Sequence, residues 1–139
     1  MTTTKREIAY QDESGVVYWD AGRQCIEIEV KRYFPGTAFK VFLESVFQLI
    51  RTKKARKLFA DLSRMDKISV EDMTWAETDW LPRSVKAGVV VFATILPKSL
   101  SGHMTVDKMS ENLAPASAGY VRRMFRDANE AREWVRQQK

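Results

Sequence analysis

Residues 58–72 read LFADLSRMDKISVED. Leu58, Phe59 and Ala60 make an apolar run of strand type, broken at Asp61. A short polar loop follows, and Ser69 then stands where a helix N-cap belongs, with Asp72 three residues on. Strand, loop and helix start in this order form the repeating joint of an α/β fold. The joint has two readings. In the first it is structural: Ser69 accepts a bond from an otherwise unpartnered backbone N–H, Asp72 completes a capping box, and Asp61, Ser63 and Asp66 bond their own backbone in turns. In the second it is functional, because a loop between a strand C-terminus and a helix N-terminus is where α/β proteins bind anions and place reactive groups. A phosphoserine there gains from the helix dipole.

The flanking sequence extends the pattern in both directions. Upstream, TAFKVFLESVFQLIRTK (37–53) repeats Phe39, Phe42, Leu43, Val46, Phe47 and Ile50 at helical spacing. Before it, CIEIEVK (25–31) alternates, which predicts a half-exposed antiparallel strand with Ile26, Ile28 and Val30 inward and Glu27, Glu29 and Lys31 in water. REIAY and VVYWD flank QDESG, a hairpin with Gly15 at the tight position. Downstream, SVEDMTWAETDW predicts a helix with Pro82 close behind it, and GVVVFATIL a strand covered on both faces. SGHMTVDKMSENLA predicts another helix, YVRRMF a strand, and DANEAREWVRQQ a last helix with Ala128, Ala131, Trp134 and Val135 on one side. The predicted order is β-β-β, then α-β-α-β-α-β-α. It implies an α/β fold with a mixed sheet: an N-terminal antiparallel hairpin, then alternating helices and strands joined by right-handed crossovers. With no repeat or linker, residues 1–139 are read as a single domain.

The totals exclude several classes. The chain has 139 residues, 45% hydrophobic and 29% charged, which suits a soluble domain with a core of its own. No apolar stretch reaches the roughly 18 residues that span a bilayer, and MTTTKREIAY lacks the pattern of a signal peptide. A cytoplasmic protein is expected. Cys25 is the one cysteine and His103 the one histidine, so no intramolecular disulfide, no cysteine cluster and no metal or other cofactor is expected. His103 has no identifiable catalytic partner, and no phosphate-binding glycine loop, nucleophile elbow or metal signature is present. No enzyme is read. The net charge is +5, and RTKKARK (51–57) holds five basic residues in seven. Charge alone suits a nucleic-acid or anionic-lipid patch. Basic residues also suit a helix C-terminus, and no aromatics interleave to stack bases, so a solvated helix end is preferred.

The joint LFADLSRMD, placed after a long helix, resembles the switch region of STAS domains, the anti-sigma-factor-antagonist fold. Further features resemble one branch of it, the SpoIIAA-like proteins related to STAS and to CRAL-TRIO lipid carriers. They are the tryptophan-bearing helix that runs into Trp80-Leu81-Pro82, Ala87-Gly88 before a buried strand, the Leu96-Pro97-x-Ser99 exit, and Phe125-x-Asp127 before EAREW (130–134). Together they cover residues 16–136. The resemblance implies a non-catalytic STAS-like domain whose partners are a small hydrophobic molecule or lipid, or another protein, with reversible contact at a membrane; the sequence leaves the oligomeric state open, a dimer being compatible with it. One departure matters. Regulatory STAS proteins carry Asp-Ser-Ser-Gly or a close variant at the loop, with a hydroxyl residue that a kinase phosphorylates. Here Asp66-Lys67-Ile68-Ser69 stands in that place, so Lys67 and Ile68 occupy the hydroxyl positions. Ser69 is one residue late and is needed as a cap.

Trp75 and Trp80 lie five apart on one predicted α-helix, which turns them about 140° from each other. One then packs on the sheet while the other lies at a surface or cleft, unless both are partly buried between helices. The resemblance implies that this helix and the one near Ser99 wall an apolar cavity. Trp75, Trp80, Leu81, Met104 and Met109 are its candidate ligand-binding residues, with core filler as their plainer reading. The first expected function is therefore binding of a small hydrophobic ligand or lipid. The alternative is a protein-binding regulator working through Ser63, Asp66, Lys67, Ile68 and Ser69 without phosphorylation. Nucleic-acid binding through Arg51–Lys57 ranks last.

Overall fold

The computed structural model of the chain describes residues 6–65, 68–97 and 120–138. Asp66, Lys67, His103, Met104, Met109 and the helix predicted over 101–114 lie outside the described residues. In chain order the elements are β1 (Arg6–Asp12), β2 (Gly15–Asp20), β3 (Cys25–Val30), α1 (Thr37–Lys53), β4 (Lys57–Asp61) and α2 (Val70–Trp75). A π-helical turn (Ala76–Trp80) leads into α3 (Leu81–Lys86), followed by β5 (Val91–Ile95), β6 (Val121–Phe125) and α4 (Ala128–Gln137). The strands pair in sequence order, β1 to β6. β1, β2 and β3 form an antiparallel meander, and β3 to β6 run parallel. This is the mixed α/β sheet expected from the pattern of the sequence.

One face of the sheet carries the larger core. Phe42, Leu43, Val46 and Ile50 of α1 pack over Ile26, Ile28, Leu58, Ala60 and Phe92, with Trp80, Leu81 and Val85 beside them. α1 ends at Lys54, whose left-handed backbone (φ 54°) returns its N–H to the Ile50 carbonyl. Within the basic run, Lys57 Nζ donates to the Gln138 carbonyl at 2.6 Å, and so neutralises the C-terminal end of α4 rather than of α1.

Two sequence expectations change. Gly15 opens β2 instead of forming the tight turn: a Cβ there would lie 2.0 Å from the Glu29 carbonyl oxygen, so close strand approach, not a turn, requires glycine. Glu27 was expected in water and is buried. β3 is not half-exposed, because helix α4 packs over this part of the sheet's second face. There Cys25, Phe59, Ala93, Ile95 and Phe125 pack on Ala131 and Val135. Arg6 from β1 (2.7 Å) and Arg132 from α4 (3.1 Å) compensate the Glu27 carboxylate.

Cys25 lies in this second core. Burial, with Glu27 and Asp20 adding to it, pushes its thiol from the ordinary 9.0 up to about 12. The neutral thiol is the form the fold retains, so its contribution is intact below pH ~9 and is lost as pH rises from there towards the folded value. Native protein is expected to resist iodoacetamide at pH ~8.5 and to be alkylated only as fast as it unfolds, read by mass spectrometry against a urea series. Rapid stoichiometric labelling without urea would contradict this burial.

Candidate functional site

The loop between β4 and α2 is held at both ends. At its start the Asp61 carboxylate accepts from Ser63 N (3.0 Å) and Ser63 Oγ (2.6 Å), the self-bonding turn expected from the sequence. At its end Ser69 has extended backbone and its hydroxyl accepts from Asp72 N at 3.0 Å, as an N-cap does. The box closes differently from expectation. Asp72 does not reach back to Ser69 N–H; Tyr33 comes between them. Ser69 N donates to the Tyr33 hydroxyl (3.0 Å), and that hydroxyl donates to Asp72 Oδ2. Gly36 N also donates to Asp72 Oδ2, at 2.9 Å. One buried carboxylate therefore serves the N-termini of both α1 and α2, where helix dipoles favour negative charge. Burial, then the bond to Asp72, holds the Tyr33 hydroxyl above its ordinary value. Its proton, and the link it makes, are retained below pH 10 and lost as pH climbs through the raised value.

Beneath this loop lies an apolar cavity of about 90 Å³. Its floor is a row across three parallel strands, Ile28–Ala60–Thr94. The space opens where small Ala60 stands between two larger neighbours. The loop contributes Leu62, Met65 and Ile68 to the walls, the helix above contributes Met73, Ala76 and Trp80, and α1 contributes Phe42 and Leu43. Of the residues singled out in the sequence, Trp80, Leu81 and Ile68 line the cavity. Ser63 and Ser69 stand outside the lining, and their hydroxyls are engaged in the turn and the cap. Trp75 stands outside the lining.

The angular argument for the two tryptophans rests on an α-helix that the chain does not keep. Leu81 N–H bonds the Ala76 carbonyl five residues back, so Ala76–Trp80 is a π turn. The wider turn brings residues five apart nearer to one face than the about 140° of an α-helix. Trp80 is buried in the core with Nε1 donating to the Leu43 carbonyl at 2.7 Å. Trp75 packs on the same core, edge-on to Phe39 at 6.3 Å. Pro82, which has no N–H to donate, sits in the first turn of α3 directly after the π turn.

One end of the cavity is polar. Arg122 of β6 makes a bidentate pair with Glu77 of the π turn, at 2.7 and 3.0 Å. The two side chains are 8% and 11% exposed. The guanidinium also lies over the Phe92 ring at 5.0 Å. Thr94, 1% exposed and also in the lining, stands on β5 two residues beyond Phe92, the register partner of Arg122. Among the described residues neither Thr94 Oγ1 nor Arg122 Nε has a hydrogen-bond partner. Tyr33, Glu77, Thr94 and Arg122 were all passed over in the sequence. Only the conjunction of unlike elements makes them a group, and the one local hint was the pair of arginines inside an otherwise strand-like YVRRMF.

No family model matches the chain, and no curated protein matches its sequence. Solved structures do. A Thermotoga maritima protein provisionally described as an anti-sigma factor antagonist superimposes with a TM-score of 0.62 at 15% identity, covering 96% of this chain and 95% of its own. SiaC of Pseudomonas aeruginosa superimposes with a TM-score of 0.51 at 12% identity, covering 86% of this chain and 98% of its own. Among the described residues no helix is long and apolar enough to cross a membrane. An N-terminal antiparallel meander, a parallel remainder and a capped loop after β4, superimposing over nearly the whole chain, give this protein the STAS-like fold of the anti-sigma factor antagonists.

Proposed function

We propose that the chain is a non-catalytic protein-binding regulator in the manner of anti-sigma factor antagonists, acting on an anti-sigma factor without a phosphoserine switch. The observation that carries the reading is the pinned joint between β4 and α2, set in a fold shared over 96% of the chain with the Thermotoga maritima protein provisionally described as such an antagonist. A phosphate on Ser63 would meet the Asp61 carboxylate that its hydroxyl now bonds, and one on Ser69 would displace the cap of α2. What the joint offers a partner is shape and an apolar contact. Val70, the first residue of α2, is 74% exposed, and Lys40 and Trp75 stand together nearby, with the ammonium 5.5 Å from the indole ring.

Lipid binding finds less support. A cavity of about 90 Å³ is well below the roughly 300–1,000 Å³ of drug-sized ligand sites.

Isothermal titration of the purified chain against the anti-sigma factors of its source genome tests the reading. One of them is expected to bind, and Val70→Asp to weaken that binding at least ~10-fold, equivalent to ~1.4 kcal/mol. Aspartate in a first helical turn suits the dipole, so circular dichroism should show the fold retained. Absence of binding by every anti-sigma factor, or equal binding by Val70→Asp, would overturn the proposal.

A further inference from the structure

We propose that the cavity beneath α2 is a binding site for a small, uncharged, mostly apolar molecule with one hydrogen-bond-accepting oxygen, and that its occupancy sets the packing of the loop side chains Leu62, Met65 and Ile68. The first half stands on the cavity. The regulatory consequence rests on the reading of the joint as a partner-binding surface.

The chemistry of the ligand follows from what the site lacks. Thr94 Oγ1 is buried and without a partner among the described residues, and so is Arg122 Nε, also in the cavity lining. Buried polar groups are ordinarily hydrogen-bonded, and the exceptions call for an explanation. Arg122 Nε only donates, whereas a threonine hydroxyl donates or accepts. An acceptor oxygen is the group that satisfies either of them. Charge selects further. Glu77 and Arg122 neutralise each other through both terminal guanidinium nitrogens, so a carboxylate placed beside that pair would meet Glu77 while the Arg122 charge is already matched. A neutral carbonyl or hydroxyl oxygen is the group that fits. The remaining walls are mostly apolar and include Ile28, Phe42 and Leu43, with Ser14, Arg32 and Tyr33 also in the lining.

Size selects the body of the molecule. An apolar cavity of roughly 150 Å³ admits benzene. About 90 Å³ with two adaptable methionines, Met65 and Met73, in its lining suits a five-membered ring or a short branched chain. Small ketones, esters and alcohols are the class.

Position supplies the link to function. Leu62, Met65 and Ile68 reach the cavity from the loop, and Met73, Ala76 and Trp80 from the helix that follows. Filling the space from within presses on the segment between them. A STAS-type loop switched by added charge is here replaced by one adjusted by packing.

The test uses the full chain, labelled with ¹⁵N and titrated with cyclopentanone, with cyclopentane as the matched molecule that lacks the oxygen. Cyclopentanone is expected to bind saturably below ~10 mM, with its largest shifts at Leu62, Met65, Ile68 and Thr94, and cyclopentane at least ~10-fold more weakly. Thr94→Val should close that gap to less than ~2-fold. It should also raise Tm by roughly 2–4 °C, because it replaces an unsatisfied buried hydroxyl with a methyl group of similar shape. Equal binding of the two probes, no saturable binding by either, or an unchanged gap in Thr94→Val would overturn the site. A fall in Tm for Thr94→Val would do so as well, since it would mean the hydroxyl is already satisfied in the free protein. Binding with no shift at Leu62, Met65 or Ile68 would overturn the coupling to the loop. No partner enters this titration, so its outcome is independent of whether an anti-sigma factor binds.

Discussion

Trp80→Ala is expected to destabilise the fold by about 4 kcal/mol, near the top of the range for a large-to-small core change. Three effects add. The indole is 3% exposed and packs edge-on to Phe92 with ring centroids 6.4 Å apart, so its removal forfeits most of a fully buried aromatic surface. Its Nε1–H is the donor at 2.7 Å to the Leu43 carbonyl inside α1, which the alanine would leave without that bond. The side chain also walls the cavity beneath α2, so the vacated volume joins existing space rather than collapsing. Trp80→Phe keeps much of the volume and loses the bond, and should cost about half as much. Urea denaturation measures both, as a shift in midpoint at constant slope. A loss below ~2 kcal/mol for Trp80→Ala would mean that the helical layer is held on α1 by other contacts.

The second large effect belongs to Asp72. Asp72→Ala is expected to cost about 3 kcal/mol, because it removes the acceptor of two groups at once, the Tyr33 hydroxyl and Gly36 N–H. It also takes a negative charge from the N-termini of two helices. Ser69→Ala, which removes only the cap, should cost about 1 kcal/mol. The two losses should add to less than their sum in the double variant, since Tyr33 connects the residues. Hydrogen exchange gives a local readout: the Gly36 and Ser69 amides should lose protection in Asp72→Ala well before the core strands do. Exchange unchanged at both amides would show that the carboxylate does not tie the joint to α1. If the joint is the partner surface, Asp72→Ala also weakens anti-sigma factor binding, as a consequence of loosening rather than of lost contact.

The parts of this fold that were legible were those encoded by short-range pattern. α1 was read from one face of apolar residues, β5 from a run apolar almost throughout, and the start of α2 from Ser69. Each is decided by the period of side chains along a single element and by the bonding needs of its own backbone. The parts that were not legible depend on an atom brought from elsewhere in the chain. Glu27 carries the mark of a solvent position, and nothing near it announces Arg6 and Arg132. Asp72 satisfies the spacing of a capping box, yet Tyr33, 39 residues away, takes the bond. The two tryptophans were placed by an α-helical angle that one extra residue in the turn abolishes.

By itself, then, the sequence determined the order of the described strands and helices, the mixed sheet that follows from that order, and the cap at Ser69. It determined these because hydrophobic period and capping are local. Tertiary structure alone decided which charges are buried, that Ala60 leaves a space between Ile28 and Thr94, and that Arg122 and Glu77 close one end of it. A cavity is the volume that several elements fail to fill together, and an unsatisfied hydroxyl is one that no neighbour reaches. Neither is a property of any stretch of chain on its own.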